Sequence, residues 1–266
     1  MKYDLLIVGG GPAGLTAAIQ ARARGRSVLV VSNKPTASPL CSAPAMANYP
    51  GLPGITGLEL VERLLAQAKD MGAEFKTGRA LSVMPMGKSI MVSVEDSVEE
   101  ASTVILALGV SRAAPLRGEL ELLGRGVSYC ATCDGMLYRN RPVVCAGDAP
   151  NFAEEAEFLR SIGCQVTETK LAGLEILGDG KVSGVRTAAG EEVPCDGVFL
   201  LRSSIAPAQL APGLTLEGGY IKVDAHMATN LPGIFAAGDC TGQPLQLARA
   251  VGQGQTAAHF ALEGLA

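Results

Sequence analysis

An α/β fold in two domains is what this sequence predicts, and three features predict it. A short apolar strand near the amino terminus runs into a glycine loop that opens a helix. A second strand runs into a loop that keeps only part of that pattern, VVCAGDAPNFAE at 143–154. A late strand, IFAAGD at 234–239, leads towards a closing helix. At 266 residues the chain can bury the core of one large or two modest domains, and we take two.

Residues 3–8 (YDLLIV) read as the first strand. PAGLTAAIQARARG follows with the Ala and Leu spacing of a helix ending near Gly25, and 27–31 (SVLVV) reads as a parallel strand, completing a βαβ unit. The spacing of 57–71 predicts an amphipathic helix stopped by Gly72. Residues 79–94 alternate as strands do, and 103–108 (TVILAL) reads as a buried strand. Residues 143–146, 164–169 and 197–201 supply a second small sheet, with 152–162 as its helix, and 245–264 closes the chain as a helix. No fixed-period repeat or low-complexity tract interrupts this order.

Apolar residues at 48% and charged ones at 18% suit a globular protein. A net charge of −4 supplies no basic field for a phosphate backbone, so nucleic acid is not expected as a partner. Apolar runs such as 104–110 (VILALGV) fall far short of the roughly 20 residues that cross a bilayer, and no membrane partner is expected. The amino-terminal apolar segment flows into glycine chemistry instead of a cleavage site and reads as mature protein. Seven cysteines, of which only Cys130 and Cys133 are closely spaced, do not make a secreted disulfide framework; a reducing cytoplasm fits them.

Gly9-x-Gly11-x-x-Gly14 follows a strand and opens a helix. Glycines there permit a tight turn, close approach of backbone to a pyrophosphate, and close packing of helix on strand, while the helix end carries partial positive charge. A structural glycine turn is the bland alternative. The acid that would meet a ribose hydroxyl is missing: the second strand ends Val31-Ser32-Asn33, leaving Ser32 or backbone for that contact.

SYCATCDG at 128–135 carries the second signal. A CxxC is compatible with a redox dithiol, half of a metal site, or chance spacing. The remaining cysteines with His226 and His259 form no second ligand cluster, which makes metal the minor reading. A redox pair could lower a thiol pKa from about 8.5 towards neutrality, with Asp134 as proton shuttle or simply as a turn residue before Gly135.

GGGPAG at the amino terminus, NYPG at 48–51, GRGVSYCATCDG at 124–135 and GIFAAGD at 233–239 together resemble the low-molecular-weight thioredoxin reductases, over roughly 1–142 and 180–266. The resemblance implies two Rossmann-like domains: a discontinuous FAD-binding domain at 1–112 and 204–266, and a nicotinamide-domain-like insert at 113–203 carrying the cysteine pair. It implies FAD contacts at Gly9, Gly11, Pro12, Ala13, Gly14, Asn48, Ala107, Gly109, Gly238, Asp239, Gln246 and Leu247, with Ala80 beside the adenine and Asp239 on the ribityl chain. Cys133 matches the cysteine that faces flavin, Cys130 the one that attacks thioredoxin, and Asp134 the acid–base group. A homodimer is implied too, with domain motion for which Gly109 and Gly118 are candidate hinges. Cys41 and Cys240 fall near the flavin in the resemblance and read as small fillers; His226 and His259 read as structural or surface residues.

The second loop reads as degraded. Cys145 takes the first glycine position, Gly147 survives, and Pro150 takes the third. Proline is ordinary at a first helical turn. More telling, CQVTETKLAGLEILGDGKVSGV has Lys170 as the only cation between Arg160 and Lys181, so the arginine cluster that holds the extra phosphate of NADPH in the family is absent, and the insert is shortened. This resembles the branch of the family that works without pyridine nucleotide and includes ferredoxin-linked flavoenzymes. The expected function is transfer of electrons from FAD through Cys130 and Cys133 to thioredoxin, with ferredoxin or another reduced carrier as donor. The alternatives are weak NAD(P)H binding around Gly147, or a flavin-based redox sensor that signals through partner binding.

Overall fold

The structure, a computed structural model, describes residues 2–34, 36, 38–95, 97–109, 115–149, 151–202, 206–263 and 265. In chain order the helices and strands are β1 Lys2–Val8, α1 Pro12–Ala23, β2 Val28–Ser32, α2 Gly57–Asp70, β3 Glu74–Thr77, β4 Ala80–Met86, β5 Ser89–Val94, β6 Ser97–Leu106, β7 Val127–Ser128, α3 Ala131–Asp134, β8 Pro142–Gly147 and α4 Phe152–Ser161. They continue as β9 Gln165–Thr169, β10 Glu175–Gly178, β11 Val182–Arg186, β12 Glu192–Pro194, β13 Gly197–Leu201, α5 Pro207–Leu210, β14 Leu216–Glu217, β15 Tyr220–Ile221, β16 Ile234–Ala236 and α6 Leu247–Glu263. The chain divides into two compact units, Met1–Ser111 with Pro207–Ala266, and Arg112–Ala206.

The larger unit is built on a sheet of order β3-β2-β1-β6-β5-β4, with β16 also pairing with β6. Strands β3, β2, β1, β6 and β16 are parallel, whereas β5 and β4 run antiparallel on the far edge. Leu5, Leu6 and Ile7 of β1 are wholly buried, as a parallel strand covered on both faces requires. Helix α1 buries most of its length, and its alanines let it lie close to both the sheet core and α6. Helix α2 buries only Leu60, Val61 and Ala68 with Gly57, and Thr56 caps it by accepting the Glu59 N–H at 3.2 Å.

The smaller unit has a parallel sheet of order β7-β13-β8-β9, with α4 connecting β8 to β9, and a separate antiparallel sheet β10-β11-β12. One core packs Leu122, Val127, Val144, Ile176, Val185 and Val198; the other packs Ala131, Cys145, Leu159, Cys164, Phe199 and Leu201. Buried Glu119 takes the Arg202 guanidinium in two hydrogen bonds of 2.8 Å, and Tyr129, directly before Cys130, donates its hydroxyl to the same carboxylate at 3.0 Å.

Two sequence expectations change. Cys145 does not occupy a turn: β8 runs on to Gly147, so the cysteine side chain sits in the sheet, wholly buried, paired with Phe199. Gly118 is a poor hinge. Its φ is +82°, and a Cβ there would come 3.1 Å from the Ile176 carbonyl carbon, so it is a packed turn. The polar start of β6, the edge strand β3 and the β10–β12 hairpins carry no alternation strong enough to announce them. Pro150 lies outside the described residues.

Candidate functional site

Each unit has a point where strand order reverses beside its first strand, and such a crevice at the carboxyl ends of parallel strands is where open α/β sheets bind ligands. In the larger unit the point lies between β1 and β6, in the smaller between β8 and β13. The two crevices are built differently.

Gly9, at the end of β1, has φ +117° and donates its N–H to Val31 at 2.8 Å. A Cβ there would come 2.8 Å from the Ala107 carbonyl carbon at the end of β6, so only glycine lets the two strand ends close up. Gly14 presses on the Gly9 carbonyl in the same way, whereas a Cβ on Gly11 would enter open space. Helix α1 then starts with Gly11 as its cap, Pro12 in its first turn, no capping side chain and no acid. The N–H groups of Gly11, Ala13 and Gly14 donate to no acceptor among the described residues, which leaves orphan donors and a positive helix end open to an anion.

β16 delivers a second wall. Gly238 has φ +84°, and its N–H is held at 2.9 Å by the Gln253 side chain, which also accepts from the Thr241 hydroxyl at 3.0 Å. Asp239 opens the next short turn. Its Oδ1 is buried with no hydrogen-bond partner among the described residues, and burial raises its pKa, opposed by nearby Arg249. Arg249 itself holds the turn through Gly242 at 2.7 Å and Thr241 at 3.0 Å. A buried carboxylate oxygen with nothing to accept from is a site waiting for a hydroxyl donor.

Of the other expected contacts, Asn48 and Gln246 meet at 3.5 Å, and Leu247 begins α6. Gly109 has φ +68° and open space around it. Ser32 ends β2 with its hydroxyl turned to its neighbour Asn33, and Ala80 is buried in β4 opposite Val94. Gln253 and Gly254 escaped sequence reasoning. A Cβ on Gly254 would come 2.9 Å from the Ala13 carbonyl carbon, so this glycine sets the approach of α6 to α1.

In the smaller unit the loop N–H groups are engaged by the unit's own backbone. The N–H groups of Asp148 and Ala149, which a phosphate-binding loop would aim at its ligand, both donate to the Leu201 carbonyl, at 3.1 and 3.0 Å. A Cβ on Gly147 would come 2.6 Å from that carbonyl carbon, which accounts for the surviving glycine without any ligand. Asp148 is exposed, and the first turn of α4 carries Glu154 and Glu155, negative charge at the end where an anion would have to sit. Arg160, at the other end of α4, is engaged by Glu157 and Glu168.

Helix α3 is a single turn holding the Cys130–Cys133 disulfide, with Cα atoms 5.3 Å apart. Cys130 is buried and Cys133 exposed. The Cys130 sulfur accepts the Cys133 N–H at 3.1 Å and lies 3.4 Å from the Thr132 hydroxyl. Ser128 ties the turn together: it accepts the Cys130 N–H at 3.2 Å and donates to Asp134 Oδ2 at 2.7 Å. Glu155 reaches across from α4 to accept the Ala131 N–H at 3.1 Å. Burial raises the other thiols of this unit, Cys145 up to about 12, Cys195 up to about 11, and Cys164 as well. Cys240, in the larger unit, is pushed up to about 11 in the same way. His226 stacks on Phe260 at 3.9 Å, and His259 sits edge-on to the same ring. No group of residues suited to a metal ion occurs among the described residues, nor a helix long and apolar enough to cross a membrane.

A glycine cradle, a redox disulfide and a repeated parallel sheet agree with the match of residues 3–171 and 168–254 to the pyridine nucleotide-disulphide oxidoreductase model. The chain belongs to that family. Within it, the thioredoxin reductase of Listeria innocua is 35% identical over 288 aligned positions, covering 95% of this chain and 90% of the relative. A ferredoxin-flavin thioredoxin reductase from Clostridium acetobutylicum superposes with a TM-score of 0.89 at 38% identity, over 99% of this chain and 97% of that one. A thioredoxin reductase from Gloeobacter violaceus gives 0.79 at 30% identity, over 98% and 93%. The thioredoxin reductases of this family are FAD flavoproteins, and this chain is a thioredoxin reductase homologue with the redox disulfide in place.

Proposed function

We propose that this protein carries electrons from FAD through Cys130 and Cys133 to thioredoxin, and that a reduced carrier protein of the ferredoxin kind supplies them in place of NADPH or NADH. The observation that carries this reading is the contrast between the two crevices: orphan N–H donors and an unpartnered Asp239 oxygen in one, N–H donors spent on Leu201 and a line of acids in the other. The likeness to the clostridial ferredoxin-flavin enzyme points the same way.

The larger unit has the chemistry to hold FAD: the α1 end with Gly9, Gly11, Pro12, Ala13 and Gly14 for the pyrophosphate, and Asp239 for a ribityl hydroxyl. Ser32, Asn48, Ala80, Ala107, Gly109, Gly238, Gln246 and Leu247 complete the proposed contacts; all belong to that unit. FAD, when bound, supplies the electron pair that opens the disulfide. The hydrogen bond from the Cys133 N–H favours negative charge on the Cys130 sulfur. In this scheme the Cys130 thiolate attacks one sulfur of the oxidised partner, and the partner's other sulfur leaves as thiolate. Cys133 then attacks the Cys130 sulfur, re-forming the pair and freeing the reduced partner. Asp134, fixed by Ser128, receives and returns the proton on Cys133. Exposed Met136 and Leu137 beside the pair suit docking of a protein substrate.

The driving force suffices. Thioredoxin lies near about −270 mV and plant-type ferredoxins near about −400 mV, so two electrons fall through roughly 130 mV, or about 6 kcal/mol. A dimer in a reducing cytoplasm completes the proposal; Cys145, Cys164, Cys195 and Cys240 all remain thiols.

Turnover of thioredoxin disulfide with reduced ferredoxin, and none with NADPH or NADH, is the expected result; efficient turnover with either nicotinamide defeats the donor assignment. Cys133→Ser should trap thioredoxin on Cys130, whereas Cys130→Ser should not. The reverse pattern would give the attacking role to the exposed Cys133.

A further inference from the structure

Glu155 has no part in the scheme above, yet it is a buried acid touching the redox turn. Its Oε2 accepts the N–H of Ala131, the residue directly after Cys130, at 3.1 Å, and its Oε1 accepts from Asn151 at 3.0 Å. The carboxylate is therefore clamped from its own helix and aimed at the turn that holds the disulfide. Burial, Glu168 and Cys164 raise the nearby Cys145 thiol against the pull of Arg160, and Glu155 adds the smallest contribution.

From the placement of Glu155 we infer that it is a positioning residue that lowers the reduction potential of the Cys130–Cys133 pair; this rests on the reading that the pair is redox-active. Reducing the disulfide adds two electrons and a proton, leaving one thiolate and one thiol. The thiolate is favoured at Cys130, whose sulfur already accepts the Cys133 N–H. A buried negative charge one residue away opposes that thiolate and withdraws the Ala131 N–H from service to it. Destabilising the reduced form favours the disulfide, and a pair that gives up electrons more readily is a stronger reductant for its partner. Asp134, held by Ser128, acts in the same direction. Thr132 and Ser128 also bring uncharged hydroxyls to Cys130. The position is telling: the first turn of α4 would face a phosphate in a dinucleotide site, and here its Glu155 takes the N–H beside Cys130.

The test is equilibration of the flavin-loaded protein in dithiothreitol redox buffers, read by alkylation and mass, together with the pH dependence of Cys130 alkylation in the reduced protein. Glu155→Gln keeps an acceptor for Ala131 and removes the charge. The expected result is a reduction equilibrium shifted about tenfold towards dithiol, equivalent to about 30 mV, and a Cys130 alkylation profile displaced to lower pH. Glu154→Gln removes a charge from the same turn at an exposed position and should change neither. An unchanged equilibrium and profile in Glu155→Gln, or equal shifts in Glu154→Gln, overturns the inference. If Glu155→Gln does not fold, Glu155→Asp, which draws the carboxylate back by one methylene, should shift the equilibrium severalfold in the same direction; no shift overturns it. A wild-type pair that never exchanges with the buffer sinks the redox reading and this inference together, whereas an exchanging wild type with an unmoved variant sinks the inference alone.

Discussion

Substituting Gly254 by alanine tests how the cofactor crevice is held. The new methyl would come 2.9 Å from the Ala13 carbonyl carbon and 3.0 Å from its Cα, and nearer still to the oxygen. Ordinary carbon contacts lie at about 3.5–4.0 Å, so α6 must back away from α1 by roughly 1 Å. Overpacking of this kind costs about 1–3 kcal/mol, and each kcal/mol lowers the melting temperature by about 2–4 °C in a chain of this order of size. The displacement acts where it matters: neighbouring Gln253 holds Gly238 and Thr241, and Ala13 belongs to the opening turn of α1. FAD affinity should fall about tenfold or more, equivalent to about 1.4 kcal/mol or more. Gly252, two residues earlier, is exposed with nothing within reach of a Cβ, and alanine there should stabilise the helix by about 0.5–1 kcal/mol. Scanning fluorimetry and flavin release measure both variants. Equal melting temperatures and flavin contents in the two would refute the packing argument.

Asp239→Asn should separate stability from binding. Burial raises the Asp239 carboxyl, so its contribution to the flavin-free fold is full below the ordinary carboxylate value and is lost as pH rises through the raised one. Flavin-free Asp239→Asn should therefore melt no lower than wild type near neutrality, converge with it in acid, and bind FAD more weakly; pH-dependent melting and FAD titration decide. Arg202→Ala leaves the wholly buried Glu119 without its guanidinium, and the expected loss is about 3–5 kcal/mol, read by denaturant unfolding. Replacing the pair together, Glu119→Leu with Arg202→Met, should recover most of that loss, whereas an equally unstable double variant would contradict it.

The parts of this molecule with strong local signals were legible from the residues. Tyr3 to Val8 reads as a strand because of the apolar run Leu5 to Val8, the first glycine loop because three glycines sit at the strand–helix junction, and the redox turn because two cysteines are separated by two residues. What was illegible depends on contacts between distant segments. Glu119 and Arg202 are 83 residues apart, and neither predicts the other. Glu155 looks like any acid at the start of a helix until Ala131, 24 residues earlier, is laid against it. Gly254 sits in a helix, where glycine normally weakens the element, and only Ala13 explains it. Cys145 is no sign of a degraded loop, since it lies in the strand. The better sign, two N–H groups spent on Leu201, is a backbone fact that no side chain announces.

The donor assignment requires the crevice at Gly147 to be closed to dinucleotides while the one at Gly9 is open. Anaerobic titration of the flavin-loaded protein with NADPH and NADH, followed by the flavin absorbance, tests it most directly. No bleaching at micromolar nicotinamide and full bleaching with reduced ferredoxin are expected. Rapid stoichiometric bleaching by either nicotinamide would contradict the donor assignment.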